Sequence, residues 1–186
     1  MNVVVVGFKG AGKSTLGPLL AERMGFVFDD LDRRLAEAAS GELGERVNVR
    51  EAFRRMGAER FRGMERRLLA EALAGDRLVL SLGGGAALDE AAASAAASAE
   101  ALRGQCVVYL RVPEENLVRR IREGGWPAYL DGAGDPEAAL RELLQERLPR
   151  YEAMADLIVD NPDGEAPGAG AARAAEKVAE WMKARG

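Results

Sequence analysis

The residues near the N-terminus that could do chemistry are spaced glycines followed by a lysine and a serine. Residues 7–15 have the sequence GFKGAGKST, directly after the apolar run Val3–Val6 and before a stretch of helical character. This is the P-loop pattern, in which glycines let backbone N–H groups surround a phosphate chain. Lys13 would contact the β- and γ-phosphates and the Ser14 hydroxyl would bind Mg²⁺, so the motif predicts a nucleoside-triphosphate site. The residues predicted to form it are Gly10, Ala11, Gly12, Lys13, Ser14 and Thr15.

A cluster of acidic residues follows the second apolar run, at residues 26–28. Carboxylates at the carboxyl edge of a strand beside the P-loop strand face the nucleotide crevice of such sheets. Asp30 and Asp32 are two positions apart, so along an extended strand they would share one side. One of them could hold Mg²⁺ through water while the other orients or deprotonates an attacking hydroxyl. The alternative is an acidic N-cap for the next helix, a role that we expect most of Asp29.

Three further groups of residues could bind the molecule that receives the phosphate. Arg62 and Glu65 lie on one face of a predicted helix, where the simplest alternative is a surface ion pair. Three consecutive glycines at 83–85 follow the third apolar run and permit close approach of a ligand, although they would also suit a plain loop. Arg147, which alone would be an ordinary surface arginine, lies in a helical segment before Tyr151. Planar guanidinium groups bind carboxylates bidentately, so two arginines facing a glycine loop suit a small acid.

These candidates need a scaffold that brings distant parts of the chain together. Short apolar runs that alternate with helical stretches predict an α/β fold, with a parallel sheet flanked by helices. The five predicted strands are residues 3–6, 26–28, 78–81, 106–112 and 157–159. The predicted helices are residues 14–24, two or three within 31–75, and 86–102, 113–123, 137–155 and 171–185. Residues 31–75 exceed what a crossover needs and predict a substrate-binding helical insertion, whereas the Gly- and Pro-rich residues 124–136 predict a mobile loop.

The composition narrows the class of protein. The chain has 186 residues, 48% of them hydrophobic, which suits one domain with a core of its own. Its net charge of −4 makes a general nucleic-acid surface unexpected, and it contains no histidine, so proton transfer must use a carboxylate, lysine, tyrosine or water. The single cysteine, Cys106, is expected in the core. We find no signal segment and no apolar stretch that could span a membrane, and we expect a cytoplasmic monomer.

Together, the motifs resemble those of the shikimate kinases. Five of them occur in that family in the same order: the P-loop, FDDLD at 28–32, Phe61 and Arg62 with Glu65, the glycine triplet, and ERLPRY at 146–151. The resemblance implies a three-layer P-loop kinase fold of the nucleoside-monophosphate-kinase type with a five-stranded parallel sheet. Residues 1–186 would form a single domain, with the helical insertion at 31–75 and a lid at about 113–136. The implied activity is ATP- and Mg²⁺-dependent conversion of shikimate to shikimate 3-phosphate, a step of aromatic amino-acid biosynthesis.

The resemblance also implies roles for residues on the nucleotide side. Lys13 is similar to the phosphate lysine, and Ser14 to the residue that binds Mg²⁺ directly. Asp30 is similar to the residue that holds Mg²⁺ from the second shell of ligands. Arg120, just before the lid, matches the arginine that stacks on adenine. Asn161 lies in a loop that is placed for a further adenine contact, so we expect it to bind ATP as well.

On the acceptor side, the resemblance implies that Asp32 holds the substrate hydroxyls and acts as the base. Arg62 and Arg147 are similar to the pair of arginines that grips the carboxylate of the substrate. In such a phosphoryl transfer the protein forms no covalent bond with the substrate. It needs only to position the hydroxyl and to neutralise the charge that develops on the transferred group. The glycines expected beside the substrate and the γ-phosphate are Gly83, Gly84 and Gly85.

The chain departs from the family pattern at the lid. The family has an arginine before a proline there, whereas this chain has Trp126 before Pro127. A tryptophan cannot supply that charge, and the loss of such a cation can slow phosphoryl transfer by orders of magnitude. Arg119 or Arg122 could replace it, or Trp126 could shape the pocket for another acceptor such as homoserine or gluconate. A third possibility is a regulatory nucleotide-binding module with little activity. We assign Trp126 to the substrate site and keep shikimate as the first expected acceptor.

Overall fold

The computed structural model describes residues 1–83, 100–127, 130 and 133–185. Its strands are β1 (Val3–Val6), β2 (Val27–Asp30), β3 (Leu78–Ser81), β4 (Cys106–Arg111) and β5 (Leu157–Asp160). All pair in parallel, in the order β2-β3-β1-β4-β5. The predicted parallel α/β fold is therefore confirmed, although the second strand begins and ends later than predicted because it pairs with β3 as far as Asp30.

Helices connect the strands and pack around the sheet. They are α1 (Lys13–Met24), α2 (Leu31–Leu43), α3 (Val49–Met56), α4 (Ala58–Leu73), α5 (Glu114–Glu123), α6 (Pro136–Met154) and α7 (Pro167–Arg185). Helices α2, α3 and α4 contact one another and occupy the region predicted as an insertion. The last helix begins at Pro167, four residues before its predicted start at residue 171. Most of the helix predicted at 86–102 lies outside the described residues.

Strand β1 lies in the middle of the sheet, where both faces are covered. All four valines of Val3–Val6 are fully buried. A parallel sheet carries helices on both faces, so a strand without polar alternation is what this position requires. The strand pairs with β3 on one side and with β4 on the other. Its carboxyl end, where the P-loop begins, therefore opens between the ends of two other strands.

The P-loop joins β1 to α1 through a glycine that no other residue replaces easily. Gly12 is the N-cap of α1 and has a φ of 95°, in the left-handed region that side chains with a Cβ rarely adopt. Its carbonyl accepts hydrogen bonds from the backbone nitrogens of Thr15 and Leu16, at 3.1 and 2.9 Å. The helix consequently begins at Lys13, one residue before the predicted start, with its N-terminus toward the loop.

The core is continuous across the sheet. Tyr109 on β4 stacks on Tyr151 of α6 with ring centroids 5.6 Å apart. Cys106 is fully buried, as predicted, and burial raises the pKa of its thiol to about 12. No helix in the described ranges is both long and apolar enough to cross a membrane.

Candidate active site

A cavity of about 820 Å³ opens between the P-loop, the carboxyl ends of β2 and β3, and helices α3 and α4. Its volume is in the range of small-molecule sites. The predicted site residues that line it are Gly10, Gly12, Lys13, Ser14, Asp30, Asp32, Arg62, Gly83 and Arg147. The predicted residues that do not line it are Ala11, Thr15, Arg120, Trp126 and Asn161. Gly84 and Gly85 lie outside the described residues.

Lys13 folds back onto the loop that precedes it. Its Nζ donates hydrogen bonds to the carbonyl oxygens of Gly7 and Phe8, at 2.8 and 3.1 Å. Burial lowers the pKa of Lys13, and the nearby carboxylates of Asp32 and Asp30 partly oppose this shift. Since the ammonium is held by neutral carbonyls, an incoming phosphate chain would meet a cation that is positioned but not neutralised by direct contact with an acid.

Asp30 and Asp32 both face the cavity, but not for the predicted reason. Strand β2 ends at Asp30, which is the N-cap of α2, and Asp32 already lies in the first turn of that helix. The expectation that both residues share one side of an extended strand is therefore wrong. One carboxylate oxygen of Asp30 accepts a 3.1 Å hydrogen bond from the backbone nitrogen of Arg33, so the capping alternative holds for this residue. Among the described residues, no hydrogen bond engages the other carboxylate oxygen of Asp30.

The surroundings of Asp32 shift the pKa of its carboxyl group upward. Burial by the surrounding protein raises the pKa of Asp32, and the negative charge of Asp30 raises it further. The ammonium of Lys13 opposes both effects without cancelling them. A carboxylate with a raised pKa accepts a proton more readily at neutral pH, which suits a general base.

Asp29 is a structural residue and not the cap that the sequence suggested. Its buried carboxylate accepts hydrogen bonds from Arg34 Nε and, at 2.6 Å, from Arg33 Nη2. It also accepts a 2.8 Å bond from the backbone nitrogen of Asp30. Burial alone would raise the pKa of Asp29, but these hydrogen bonds and the charge of Arg34 outweigh it and lower the pKa overall. Asp29 thus ties the end of β2 to the first turn of α2.

Gly83 lies against the Asp32 side chain. A Cβ atom at this position would approach Asp32 Oδ2 to 2.6 Å, which is closer than real Cβ contacts allow. The described glycine of the triplet is therefore required by a protein carboxylate, in addition to any ligand. The absence of a side chain at Gly83 therefore leaves room for the Asp32 carboxylate at the carboxyl end of β3, on the same cavity wall as Ser81.

Arg62 is oriented by an acid and two aromatic rings. Its Nη1 donates a 2.6 Å hydrogen bond to Glu65, and the guanidinium lies 5.6 and 5.7 Å from the ring centroids of Phe53 and Phe61. The two rings meet edge to face, 5.3 Å apart. All four side chains line the cavity, so the ion pair of Arg62 and Glu65 faces the cavity and is not an isolated pair on the outer surface. A guanidinium held this way is preorganised to bind an anion.

Arg147 reaches the same cavity from α6. Its Nε is buried and has no hydrogen-bond partner among the described residues. Buried polar atoms in proteins are rarely left without a partner, because the desolvation cost is not recovered. An unpaired guanidinium donor in a cavity wall therefore indicates a site that a ligand acceptor completes.

The two residues predicted to hold adenine lie together, behind the P-loop. Arg120 donates hydrogen bonds to the carbonyls of Gly10 and Asn161, at 3.0 and 3.1 Å, and its Nε bonds Asp163 at 2.8 Å. Asn161 in turn donates a 2.8 Å bond from Nδ2 to the carbonyl of Ala11. These contacts link α5 and the loop after β5 to the phosphate loop. The structure thus places both residues next to the nucleotide loop, although not on the acceptor cavity.

The described part of the predicted lid contributes Pro127 to the cavity and no cation. Trp126 is half-buried and packs against the hydrophobic core, so its assignment to the substrate site stays a prediction. The two arginines expected to replace a lid arginine are engaged elsewhere. Arg119 pairs with Glu123 and Asp163. Arg122 lies 3.5 Å from Glu137, and neither arginine lines the cavity.

Sequence reasoning missed several residues of the cavity wall. They include Lys9 in the P-loop and Val49, Arg50 and Phe53 on α3. A capping box formed by Asn48 and Glu51 starts this helix and was readable in the sequence. Arg50 and Phe53 are three positions apart and so share one helix face, which was the available signal. Lys9 occupies a position at which the P-loop motif accepts any residue type. Its positive charge beside a phosphate site was the only signal in the sequence.

The donor set fits Mg²⁺. Proteins usually hold this ion through one or two carboxylates, with water and substrate phosphates completing the octahedron. The Ser14 hydroxyl and the carboxylates of Asp30 and Asp32 line one cavity beside the P-loop, which is such a set. Oxygen donors of this kind match a hard cation and not a soft metal.

Known proteins of one family are similar to this chain over most of its length. The sequence model of the family described as "Shikimate kinase" matches residues 9–183. Shikimate kinase from Thermobifida fusca is 38% identical over 161 residues, which cover 86% of this chain and 85% of the relative. The enzyme of that name from Synechococcus sp. is 36% identical over 183 residues, covering 97% and 84%. The structure of shikimate kinase from Acinetobacter baumannii in complex with shikimate has a TM-score of 0.73 and 31% identity, covering 99% and 93%.

Proposed function

This chain belongs to the shikimate kinase family, and we propose that it transfers the γ-phosphoryl group of ATP to a hydroxyl of shikimate in the cavity described above. Members of this family are ATP-dependent small-molecule kinases that serve aromatic amino-acid biosynthesis. The observation that supports the residue assignment most directly is the buried, unpartnered Nε of Arg147 on the cavity wall. A carboxylate supplies the paired acceptors that a guanidinium group lacks there.

On the nucleotide side, the P-loop amides from Gly10 to Thr15 and the Lys13 ammonium would bind the phosphates. Arg120 and Asn161 would contact the adenine, a role consistent with their contacts to the back of the same loop. Ser14 would bind Mg²⁺ directly, and Asp30 would hold it through water by the oxygen that does not cap α2. The ion would neutralise charge on the β- and γ-phosphates.

On the acceptor side, Arg62 and Arg147 would grip the carboxylate, and helices α2–α4 would form the acceptor-binding insertion at 31–75. Asp32 would then lie beside the reacting hydroxyl, in the space that Gly83 leaves open. It orients that hydroxyl and accepts its proton as the oxygen attacks phosphorus. Gly84 and Gly85 remain part of the proposed glycine loop, and residues 113–136 remain the proposed lid.

Other acceptors and a regulatory role are less well supported. A kinase of homoserine or gluconate, or a module without activity, was left open by Trp126. The relatives described above are shikimate kinases, and the cavity wall carries Lys13, the carboxylates of Asp30 and Asp32, and the two arginines proposed to bind the acceptor. We also propose that the protein acts as a cytoplasmic monomer without a nucleic-acid partner.

The test is ADP release from ATP and Mg²⁺ by the purified protein with shikimate, gluconate, homoserine or no acceptor. The proposal expects release that depends on shikimate and is near background with the other three. Release that gluconate or homoserine stimulates instead would reassign the acceptor while retaining the kinase. Release that no acceptor changes would contradict the proposed function.

A further inference from the structure

The cavity carries more positive charge than the proposed roles use. The cationic residues that line it are Lys9, Lys13, Arg50, Arg62 and Arg147. Lys13 is assigned to the phosphates, and two of the arginines are assigned to the carboxylate of the acceptor. Lys9 and Arg50 have no role so far, and they differ in position, because Lys9 belongs to the P-loop and Arg50 to α3.

The position of Lys9 relates it to the reacting end of the phosphate chain. Lys13 contacts the β- and γ-phosphates in a P-loop. Its Nζ lies 3.1 Å from the carbonyl oxygen of Phe8, and that carbonyl belongs to the peptide bond that joins Phe8 to Lys9. The side chain of Lys9 therefore starts within one residue of the ammonium that marks the γ-phosphate. It also lines the same cavity as Asp32, the proposed base.

The side chain of Lys9 is available for a ligand. It is exposed, and within the described ranges no hydrogen bond or ion pair engages it. The arginines of α5 are different, because Arg119, Arg120 and Arg122 are all paired with acids away from the cavity. A lysine ammonium is a compact charge on a flexible stem, so it can follow a phosphoryl group as the group moves.

We propose that Lys9 is a second phosphate-binding cation of this site and that it contacts the γ-phosphoryl group during transfer. This rests on the proposed function. In the step, the acceptor oxygen bonds to the γ-phosphorus, its proton passes to Asp32, and the bond to the β–γ bridging oxygen breaks to leave ADP. Negative charge spreads over the equatorial oxygens of the transferred group, and a nearby ammonium stabilises it. Lys9 thereby supplies the charge that the described lid residues lack.

The experiment compares three variants: Lys9→Met, Lys9→Arg, and Lys183→Met as a matched control on the exposed end of α7. Lys9→Met should lower kcat by roughly 100-fold while the KM for shikimate stays within about threefold of wild type. Lys9→Arg should recover much of that loss because it restores the charge. Lys183→Met should behave like wild type.

A binding measurement keeps this inference separable from the choice of acceptor. A non-hydrolysable ATP analogue carries a γ-phosphate, whereas ADP does not. Lys9→Met should weaken binding of the analogue by about three- to tenfold and leave the affinity for ADP unchanged. Equal weakening of both ligands would overturn the inference, and so would a kcat within threefold of wild type. If the binding result holds but shikimate does not stimulate turnover, the proposed acceptor is wrong and the γ-phosphate contact stands.

Discussion

Single residues of this site owe their chemistry to burial and to their immediate neighbours. Burial lowers the pKa of Lys13 and raises that of Asp32, while each charge partly stabilises the other. Because of these opposite shifts, a bound phosphate would stabilise the charged form of Lys13. Uptake of a proton would relieve the unfavourable burial of the Asp32 charge. The Nε of Arg147 is buried and unpaired, so a hydrogen-bond acceptor on a ligand would offset the cost of burying this donor.

Replacing Asp32 by Asn should abolish the proton acceptor and leave nucleotide binding nearly intact. We expect kcat to fall by at least about 100-fold, measured as shikimate-dependent ADP release. In the wild type, kcat should fall as the pH drops through the pKa of Asp32, which burial and the charge of Asp30 raise. The chain has no histidine, so a fall of kcat on the acid side of the pH profile is attributed to a carboxylate. A variant that turns over like wild type would contradict the role of Asp32.

The same substitution should affect stability in the opposite direction. A raised pKa in the folded state means that folding penalises the ionised carboxylate above that pKa. Asp32→Asn should therefore unfold at a higher temperature than the ligand-free wild type near neutral pH. The difference should shrink as the pH falls and wild-type Asp32 takes up its proton. Thermal melts across this range provide the check, and a variant less stable than wild type near neutrality would argue against it.

Arg147 should matter for the acceptor and not for ATP. Arg147→Gln should weaken shikimate binding by about 2–5 kcal/mol, seen as a higher KM, because the carboxylate loses its charged partner. The matched control is Arg150→Gln on the same helix, which removes an arginine that pairs with Glu146 at 3.2 Å and does not line the cavity. Shikimate methyl ester, which lacks the negative charge, should bind the wild type poorly. Arg147→Gln should lower the affinity for this ester only slightly. If the substitution weakened binding of the ester as much as binding of the acid, Arg147 would not be a partner of the carboxylate.

At the scale of elements, the junction between β2 and α2 positions the acidic side of the site. The strand ends on Asp30, the helix begins at once, and Asp29 braces the turn through Arg33 and Arg34. Because no loop intervenes, Asp30 and Asp32 are held by two regular elements. Such anchoring suits catalytic groups, which tolerate only small displacements.

Asp29→Asn should test this junction through stability. The buried carboxylate has a lowered pKa in the folded state, so it contributes stability above its unfolded pKa, about 3.9. Near neutral pH the variant should lose about 1–3 kcal/mol in the free energy of unfolding. That difference should vanish as the pH falls through the folded pKa. Urea unfolding at several pH values measures it, with the exposed Glu71→Gln as a control expected to change little. A loss that is independent of pH would contradict the account.

Gly83→Ala should damage catalysis through Asp32. The added Cβ would push the Asp32 carboxylate out of position, and we expect kcat to fall by up to about 100-fold. The matched control is Gly41→Ala in α2, where a Cβ meets no atom within 4 Å. That change should leave kcat unaltered and stabilise the helix by about 0.5–1 kcal/mol. Steady-state kinetics with both variants provide the check, since equal kcat values would show that Asp32 does not need the space left by Gly83.

At the scale of the whole molecule, local patterns predicted the scaffold and most of the site. The P-loop follows from residues 7–15, and the buried parallel sheet follows from uninterrupted apolar runs such as Val3–Val6. Arg62 and Arg147 could be predicted because their motifs occur in a known order. The P-loop and the strands are visible because each depends on neighbours that are close in the sequence, whereas the two arginines became visible only through the resemblance to a known family.

The remaining features depend on long-range packing, which no local pattern records. The end of β2 is set by pairing of Asp30 with Ser81 on β3, so the residue that caps α2 is Asp30 and not Asp29, as the sequence had suggested. Arg50 belongs to the site because α3 packs on α4 beside the P-loop. Gly83 belongs to it because it touches a side chain about fifty positions earlier in the chain.

Phosphoryl transfer to shikimate is the activity from which every assigned role follows, and ³¹P NMR of the reaction measures that transfer directly. The purified protein would be incubated with ATP, Mg²⁺ and shikimate, with Asp32→Asn as the matched control. We predict that the γ-phosphate resonance is replaced by a phosphate monoester of shikimate in equal amount to ADP, and that the control reaction is slower by about 100-fold or more. Inorganic phosphate as the sole new product, or ADP without a shikimate ester, would contradict the central claim.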